Sequence, residues 1–402
     1  MPQFSRRQFV LGSAAALGAL SSTGRSLLWA ASRKKLPKPD KSGIQHIVVV
    51  MMENRSFDHL LGWLPGADGR QAGLVYTDRQ GLTHPTYPLA PDYQGCGHPD
   101  PDHSYEGGRV EYDGGACDGW LRAGANDIYS IGYYTQKDLP FLGKAAPDWT
   151  VCSRYFAPIL APTYPNRIYQ HSAVTDRLDD SLGLCTLPTI WDRLAEAGLR
   201  GRYYFNDVPF LGLWGPKYVP ITRPYAEFLA DCAIGNLPEV AFVDPPFVSE
   251  DAGTSSDDHP HGDIRAGESW LYRTYRAVTT GRDWKSTVMV INFDEWGGFF
   301  EHIAPEQAPD VNPAFELRGF RVPCVIVSPF AAPGAIAQDT YDHTSVLKMI
   351  EWRFNLPPLS VRDAAANNLA EALDFKLNRK SAPDYVVPPF VSAACPGAAP
   401  SA

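Results

Sequence analysis

The chain has 402 residues, of which 44% are hydrophobic and 12% aromatic, enough to bury a sizeable core in one large or two ordinary domains. Its formal net charge of -9 argues against a nucleic-acid partner. None of its seven cysteines forms a Cys-x-x-Cys pair, which argues against a zinc site built from thiolates.

A twin-arginine pattern, Arg6-Arg7, lies near the start of the chain and precedes a short apolar run, Val10–Leu20. This run is too short to anchor the chain in a bilayer. The pattern predicts a signal over residues 1–31 that is read by the twin-arginine export machinery, and hence a periplasmic or secreted protein. Residues 32–42, which are basic and contain proline, are predicted to be a linker.

Cysteine pairing depends on that location. In an oxidising compartment some of the cysteines are expected to form disulfides. Cys96 and Cys117 are the closest pair in sequence, and an odd total leaves at least one cysteine unpaired within the chain. The sequence does not determine the connectivity.

The first predicted strand ends in polar residues. Ile47–Met52 is an unbroken apolar run rich in β-branched side chains, which predicts a strand covered on both faces. Glu53 and Asn54 follow it directly. Since ligand sites of open α/β sheets lie at the carboxyl ends of strands, these side chains are candidate oxygen ligands for a metal ion. The alternative is that they only cap the next helix.

A long stretch with little periodicity covers residues 65–130, and such stretches are usually functional or cross an active site. It contains His103, at the end of an Asp-Pro-Asp-His segment that starts at Asp100. His103 is interpreted either as a surface loop residue or as a phosphate or metal contact.

A helix is predicted to begin near residue 163. Thr163 has the position of an N-cap, and Pro165 suits the first helical turn. A hydroxyl at a helix N-terminus, beside free N–H groups and the positive end of the dipole, lies in an anion site. The alternative is an ordinary threonine N-cap. Arg167 either adds a charge for phosphate or is structural.

The middle of the chain alternates between predicted helices and strands. Residues 187–198 have apolar side chains near helical spacing and predict a helix that ends at Gly198. Residues 202–205 and 240–243 predict strands. This alternation indicates an α/β fold.

A cluster of acidic residues and histidines, Asp257–Asp263, contains His259 and precedes a predicted helix over residues 267–280. Clustered Asp and His residues are typical of metal and phosphate sites. The alternative is a solvated acidic turn.

The second strongly apolar strand is predicted over residues 286–293, and it too ends in acidic residues, Asp294 and Glu295. A third such strand is predicted over residues 322–328. One acidic strand end is usually a turn, but two in a parallel sheet converge on one metal ion. An oxygen-rich site of this kind does not select a metal, so Zn, Mn, Ca and Mg all fit it.

Near the end of the chain, the segment 341–345 opens a predicted helix that runs to Phe354, with Asp342 or Thr344 as its cap. His343 either faces the site or merely begins this helix.

The motifs together resemble a known family. The chain is similar to the bacterial phosphoesterase family that contains phosphatidylcholine-type phospholipase C and acid phosphatase A. The resemblance runs from about residue 43 to about residue 376. Six segments carry it in this order: Met-Glu-Asn-Arg-Ser-Phe-Asp-His at 52–59, Asp-Pro-Asp-His at 100–103, Pro-Thr-Tyr-Pro-Asn-Arg at 162–167, His-Pro-His-Gly-Asp at 259–263, Asp-Glu-Trp-Gly-Gly at 294–298 with His302, and Tyr-Asp-His-Thr at 341–344.

The resemblance implies an alkaline-phosphatase-like α/β fold, a three-layer sandwich around a central, mostly parallel β-sheet with long loop excursions. It implies one divalent metal ion held by four residues, Glu53, Asn54, Asp294 and Glu295. It implies a hydroxyl nucleophile at Thr163. It also implies a phosphate pocket lined by histidines, namely His103, His259, and His302 or His343.

Residues 43–376 are therefore expected to form the catalytic domain, followed by a Pro- and Ala-rich tail over residues 377–402. Larger phospholipase members of the family carry additional C-terminal β-rich domains, which we expect this chain to lack. After the signal, no segment is apolar enough to predict a transmembrane helix.

The sequence thus predicts an exported, metal-dependent phosphoesterase that works through a phospho-threonine intermediate, with His259 as the donor of a proton to the leaving oxygen. Phospholipase C-type cleavage of phospholipids is favoured because phospholipase-like members often have Thr at this position and acid-phosphatase-like members Ser. Aromatic side chains that could hold a quaternary ammonium headgroup lie near the motifs: Tyr105, Trp120, Tyr133, Tyr134 and Trp296.

Two alternatives remain open at this point. The first is an acid phosphatase that acts on small phosphomonoesters. The second, from another class, is a non-catalytic protein that binds phosphate or lipid headgroups.

Overall fold

The computed structural model describes residues 35–248, 250 and 252–397. The predicted export signal, residues 1–31, lies outside the described residues. The elements given below all belong to one unit that begins at Leu36.

The strands of this unit are β1 (His46–Met52), β2 (Val75–Thr77), β3 (Thr83–Pro85), β4 (Tyr87–Pro88), β5 (Gly132–Tyr133), β6 (Thr150–Cys152), β7 (Tyr155–Phe156), β8 (Gly201–Phe205), β9 (Thr222–Pro224), β10 (Val240–Val243), β11 (Thr287–Phe293), β12 (Cys324–Val327), β13 (Ile336–Ala337) and β14 (Tyr341–Asp342).

The α-helices are α1 (Phe57–Leu61), α2 (Tyr105–Tyr112), α3 (Leu142–Asp148), α4 (Thr163–Ser172), α5 (Ile190–Glu196), α6 (Tyr225–Ile234), α7 (Ile264–Thr280), α8 (His343–Phe354) and α9 (Val361–Ala365). Short 3-10 helices cover Pro39–Lys41, Asp113–Gly115, Ile128–Ile131, Gln136–Asp138, Phe210–Ile221, Trp284–Ser286, Pro313–Phe315 and Leu369–Ala372.

Within the described residues, the central sheet has the order β13–β6–β12–β11–β1–β10–β8–β9. Strand β1 runs parallel to both of its neighbours, β10 and β11, and β8 and β9 continue the parallel half. Strand β12 is antiparallel to β11 and β6. The sheet is therefore mostly parallel, as the sequence predicts.

The central strands are buried at successive positions. Every residue of β10, β11 and β12 is buried, as is every residue of β1 after His46. Because side chains of a strand point alternately to opposite faces, both faces of the sheet must be covered. This confirms the predicted three-layer α/β arrangement.

Several predicted elements have different limits in the structure. The helix predicted from residue 267 begins at Ile264, where the Asp263 side chain accepts a hydrogen bond from the backbone of Arg265. The helix predicted over residues 187–198 is the shorter α5. Helix ends depend on capping side chains, which periodicity does not report.

The parallel register places three strand ends at one edge of the sheet. Met52 pairs with Phe293, and Val50 pairs with Val243. The residues that follow β1 and β11 therefore lie side by side, and those that follow β10 lie next to them. This edge is the carboxyl edge, where α/β sheets place ligands.

The segment after residue 376 has no helix or strand up to residue 397, but it packs against the rest of the unit. Tyr385 and Val387 are buried in the main hydrophobic core. The ammonium group of Lys144 donates to the backbone oxygen of Val386 at 2.7 Å. The composition of the predicted tail did not indicate this packing.

A disulfide joins Cys96 to Cys395, 299 residues apart. Cys117, the closest cysteine to Cys96 in sequence, is buried and free. Proximity in sequence was therefore no guide to the pairing. Among the described helices, none is both long and apolar enough to cross a bilayer.

Candidate active site

The turns after β1 and β11 are held together by backbone hydrogen bonds. The backbone N–H of Asn54 donates to a carboxylate oxygen of Asp294 at 3.1 Å, and that of Arg55 donates to the backbone oxygen of Glu295 at 3.1 Å. Both acidic residues are fully buried, and Glu53 is nearly so. The structure thus brings together the two strand ends that the sequence predicts.

This close approach depends on the backbone at two positions. Gly297 has φ +64°, and a Cβ there would lie 2.1 Å from the backbone oxygen of Asn54. Asn54 itself has φ +58°, in the left-handed region that Asn tolerates better than most residues. Asn54 and Gly297 therefore have a steric cause for their place in the two motifs.

Thr163 is the first residue of α4, and Pro162, not Thr163, is the N-cap residue. Its hydroxyl Oγ1 lies 3.3 Å from Oδ1 of Asn54. The turn before the helix is fixed by Asn166, whose amide donates to the backbone oxygens of Ala161 at 2.7 Å and Pro162 at 3.0 Å. The hydroxyl therefore lies at the positive end of a helix, beside a predicted metal ligand.

Arg167, one turn further along α4, is buried among carboxylates. Its guanidinium lies 3.0 Å from Glu53, 2.9 Å from Asp294 and 3.4 Å from Asp244. Burial lowers the pKa of Arg167, but these three carboxylates outweigh burial and hold the pKa well above its ordinary value. Of the two sequence interpretations, the structure therefore favours the structural role.

Asp244 was not identified from the sequence. It follows β10 directly, so it is a third acidic residue at a carboxyl strand end. Its carboxylate contacts Arg167 at 3.4 Å and accepts a hydrogen bond from the hydroxyl of Tyr203. The strand was predicted correctly, and the acidic residue after it was the available signal.

His103 and His259 lie together beside this site. Their ring centroids are 5.9 Å apart, and the ring planes are nearly perpendicular. His103 Nδ1 lies 2.7 Å from the backbone oxygen of Pro101, and Nε2 lies 3.3 Å from the amide nitrogen of Asn54. His259 Nε2 lies 3.8 Å from the carboxylate of Asp100.

The surroundings shift the pKa values of the two histidines in opposite directions. Burial lowers the pKa of His103, but the negative charges of Glu295 and Asp100 outweigh burial and raise the pKa to about 10. Burial and the positive charges of His103 and Arg55 lower the pKa of His259 well below its ordinary value. A proton donor must be protonated, so the environment of His259 does not favour the role that we assigned to it from sequence.

Arg55 positions the loop that carries His259. Its side chain is fully buried and donates to the backbone oxygens of Asp258 at 2.5 Å and His259 at 3.2 Å. Arg55 lies within the first motif, and its position in the sequence did not indicate this role.

A cavity of about 550 Å³ opens onto these residues. Its polar and charged lining consists of Glu53, His103, Thr163, Arg167, Asp180, Glu250 and His259. Its apolar and aromatic lining consists of Tyr164, Leu182, Val208, Pro209, Phe210, Leu213, Phe247 and Val248.

His302 lies in a different cluster and does not line this cavity. Its Nδ1 is 2.5 Å from the carboxylate of Asp58, and its Nε2 is 3.4 Å from that of Asp68. The same Asp58 pairs with the buried guanidinium of Arg321. The expectation that His302 lines the phosphate pocket therefore has no support in its position.

His343 lies beneath the site. It is fully buried, and its Nε2 is 2.8 Å from the backbone oxygen of Asp294, while its Nδ1 is 3.1 Å from the Tyr155 hydroxyl. Burial lowers its pKa to about 4. His343 begins α8, with Asp342 as the N-cap, and it does not line the cavity.

The aromatic residues proposed from sequence as headgroup contacts are placed elsewhere. Trp120, Tyr134 and Trp296 are fully buried, Tyr133 is nearly so, and the ring of Tyr105 lies under the guanidinium of Arg109. Their sequence positions near the motifs were therefore misleading. The aromatic side chains that line the cavity are Tyr164, Phe210 and Phe247.

Two buried oxygens fit a bound cation. Oε2 of Glu53 and Oε1 of Glu295 accept no hydrogen bond from any residue in the described part of the chain. Burial raises the pKa of both side chains well above the ordinary value, and a nearby cation would restore their charged forms. Two groups that include cavity residues are close enough to hold a metal: Asp100 with His103 and His259, and the three carboxylates of Glu53, Glu250 and Asp257.

Comparison with known proteins agrees with this chemistry. A model of the Phosphoesterase family matches residues 44–357. Phospholipase C B of Mycobacterium tuberculosis (strain ATCC 25618 / H37Rv) is 30% identical over 454 residues, covering 92% of this chain and 86% of that protein. Non-specific phospholipase C1 of Arabidopsis thaliana is 28% identical over 382 residues, covering 83% of this chain and 72% of that protein.

Among solved structures, a protein in the alkaline phosphatase superfamily from Vibrio parahaemolyticus matches with a TM-score of 0.40 and 10% identity, covering 80% of this chain and 69% of that chain. The sequence matches are stronger, since the family model alone spans well over half of the chain. The chain belongs to the Phosphoesterase family and is a hydrolase that acts on phosphoric ester bonds.

Proposed function

We propose that the protein is an exported, metal-dependent phosphoesterase that cleaves phospholipid headgroup phosphodiesters as a phospholipase C does. One observation carries the proposal. The Thr163 hydroxyl lies at the N-terminus of α4, 3.3 Å from Asn54, in a cavity that combines charged residues with an apolar wall. The phosphate of a phospholipid needs the charged residues, and its acyl chains need the apolar wall.

In the first step, Thr163 Oγ1 loses its proton to solvent and attacks phosphorus to form a covalent phospho-threonine, while the bond from phosphorus to the leaving glycerol oxygen breaks. Asn54 Oδ1 accepts a hydrogen bond from this hydroxyl and so fixes its direction. The positive end of the α4 dipole favours the growing negative charge on the phosphoryl oxygens, although the backbone N–H of Tyr164 donates to the carboxylate of Asp180 at 2.6 Å.

One divalent ion would be held by the four oxygen donors of the two strand ends, Glu53, Asn54, Asp294 and Glu295. When bound, such an ion lowers the pKa of a coordinated hydroxyl and offsets phosphoryl charge. Arg167 holds the carboxylates of Glu53 and Asp294 in place through two short ion pairs. The donor set contains no sulfur, so it does not select between Zn, Mn, Ca and Mg.

The leaving oxygen takes its proton from the pair formed by His103 and His259, which lines the same cavity. Of the two rings, whose centroids are 5.9 Å apart, His103 is the favoured donor because Glu295 and Asp100 raise its pKa. In the second step, water attacks phosphorus, the bond to Thr163 Oγ1 breaks, and the threonine oxygen takes the proton that the water loses. The histidine regains its proton from solvent. The products are a diacylglycerol and a phosphorylated headgroup.

The choice of a phospholipid over a small monoester rests on the apolar part of the cavity and on the relatives. Leu182, Val208 and Phe247 are among its lining residues, and a small phosphomonoester has no part that would contact them. The matched proteins from M. tuberculosis and A. thaliana are both named phospholipase C.

The export part of the proposal rests on two features. The Arg6-Arg7 pattern is that of a twin-arginine signal. The Cys96–Cys395 disulfide is of the kind that persists in oxidising compartments outside the cytoplasm.

The test is a comparison of kcat/KM for a chromogenic phosphorylcholine diester and for the corresponding plain phosphate monoester, with each candidate metal added in turn. The proposal expects the diester to be preferred. A tenfold or greater preference for the monoester would replace it with the acid-phosphatase function.

A further inference from the structure

Three exposed apolar side chains line the cavity, Leu182 (79% exposed), Val208 (51%) and Val248 (46%), and Leu184 (67%) lies two residues after Leu182. We call these four the apolar rim. Isolated exposed apolar residues are common, but a cluster that surrounds a binding cavity marks an interaction surface. The rim comes from three segments that are distant in sequence, so its formation depends on the fold.

The rim is held in place by hydrogen bonds. One carboxylate oxygen of Asp207 accepts from the backbone N–H of Val208 at 2.7 Å, and the other accepts from that of Val248 at 2.8 Å. The backbone N–H of Cys185 donates to the oxygen of Leu213 at 2.8 Å, which ties the segment that carries Leu184 to the cavity wall. These bonds fix the backbone of the segments that carry the rim.

The rim is continuous with the cavity. Leu182, Val208 and Val248 line the same cavity as Thr163. A molecule whose phosphate reaches Thr163 therefore has its remaining part against the rim.

The charges at the cavity mouth restrict the kind of surface that fits. Asp180 and Glu250 line the cavity, Asp207 underlies the rim, and the chain as a whole has a formal charge of -9. An anionic surface would be repelled. A zwitterionic lipid surface presents cationic groups to these carboxylates and acyl chains to the apolar rim.

We infer that the apolar rim docks the protein onto membranes of zwitterionic phospholipid and so presents a lipid molecule to Thr163. The inference deepens the proposed function and rests on it for the identity of the substrate. The binding itself requires only the rim, which allows the two to be tested separately.

The experiment measures sedimentation of the full chain with phosphatidylcholine vesicles. Thr163→Val serves as the background, so that no lipid is consumed. Leu182→Asn with Leu184→Asn is added to it, and the matched control adds Leu82→Asn with Val311→Asn, which are 62% and 60% exposed and do not line the cavity. The rim variant is expected to lose at least tenfold in bound fraction per lipid, and the control less than twofold.

Three results would overturn the inference: no vesicle binding by the Thr163→Val protein, equal loss in the rim and control variants, or tighter binding to phosphatidylglycerol vesicles than to phosphatidylcholine. A dimer in sedimentation velocity that dissociates only in the rim variant, without vesicle binding, would assign the rim to a second copy of this chain. Thermal unfolding of each variant shows that it is folded.

A second readout uses the active enzyme. The ratio of the rate on phosphatidylcholine vesicles to the rate on a soluble phosphorylcholine ester is expected to fall at least tenfold in the rim variant and to stay constant in the control. Rim-dependent vesicle binding by a protein that hydrolyses neither substrate would contradict the proposed function and leave the rim inference standing. Hydrolysis of both substrates, with equal rate ratios in the rim and control variants, would contradict the rim inference and leave the proposed function standing.

Discussion

The hydroxyl of Thr163 and the side-chain oxygen of Asn54 lie 3.3 Å apart, although 109 residues separate them in the chain. Asn54 also contacts His103 through its amide nitrogen and Asp294 through its backbone N–H. One residue in a left-handed backbone conformation, Asn54, thus connects the predicted nucleophile, a histidine and a predicted metal ligand. Because these groups act as a unit, we expect substitutions among them to be strongly non-additive.

The first prediction concerns the nucleophile. Thr163→Val keeps the shape of the side chain but removes the oxygen that attacks phosphorus. We expect kcat to fall by at least about a thousandfold, as for the loss of covalent catalysis. Thr163→Ser keeps a hydroxyl and is the matched control, expected to retain a substantial part of the rate. If steady-state kinetics show that Thr163→Val keeps more than a tenth of the wild-type rate, Thr163 is not the nucleophile.

The second prediction concerns the metal. Asp294→Asn removes a charge from the predicted donor set, so metal content and activity are expected to fall together, by about tenfold or more. His84→Asn alters a histidine that pairs with Asp78, outside the groups of described residues that could hold a metal, and is expected to keep its metal. Elemental analysis of the purified proteins provides the measurement. A metal-free wild-type enzyme with full activity would exclude metal dependence.

The third prediction separates the two histidines of the cavity by the chemistry of the leaving group. A nitrophenolate leaves without a proton, whereas an alkoxide needs one. The charge held on His103 favours it as the donor, so His103→Asn is expected to slow alkyl diesters by about a hundredfold more than nitrophenyl diesters. If His259→Asn slows alkyl diesters selectively and His103→Asn does not, His259 is the proton donor.

The sequence predicted the two strand ends correctly because apolar runs report burial and the residues after them lie at a known edge of the sheet. It placed Thr163 at the start of a helix for a similar local reason. It could not predict that His302 belongs with Asp58, because that contact depends on how separate loops cross in space.

The aromatic residues were misassigned for the same reason. Trp296 follows Glu295 in the motif, yet it is fully buried and donates a hydrogen bond to Glu111 at 2.7 Å. Proximity in sequence does not report which face of a turn a side chain occupies. Asp244 was missed although the pattern was visible, because only two of the three acidic strand ends were weighed.

The fourth prediction concerns export. Arg6→Lys with Arg7→Lys is expected to leave precursor in the cytoplasm, because the twin-arginine signal is read by a receptor. Lys34→Arg with Lys35→Arg, a change of the same size beyond the predicted signal, is expected to have no effect. Fractionation followed by immunoblotting measures both. Wild-type levels of the Arg6 and Arg7 double variant outside the cytoplasm would show that another route is used.

The fifth prediction concerns stability and pH. Glu268 is fully buried on α7, and its Oε2 accepts hydrogen bonds from the backbone of Phe141 at 2.5 Å and Leu142 at 2.9 Å. Burial raises its pKa to about 8. Above the ordinary pKa of glutamate, the folded protein therefore keeps a proton that the unfolded chain releases. The stability that Glu268 contributes through this difference is fully present below the ordinary pKa and is lost as the pH rises towards the folded-state pKa.

Wild-type stability should thus decline between about pH 5 and pH 8 by up to about 1.4 kcal/mol per pH unit more than that of Glu268→Gln. Urea unfolding at several pH values measures the two slopes. Glu227→Gln, at an exposed position of α6, is the control and should follow wild type. Equal slopes for wild type and Glu268→Gln would show that Glu268 is ionised in the folded protein.

The bond between Cys96 and Cys395 closes a covalent ring of the chain that contains β10, β11 and β12 but leaves β1 outside. The central pairing of β1 with β11 therefore joins a strand outside the ring to one within it, and noncovalent forces alone hold that pair. A single protease cut anywhere between the two cysteines would leave both fragments linked. Nicked protein would then migrate as one band on a denaturing gel until a reductant separates it into two.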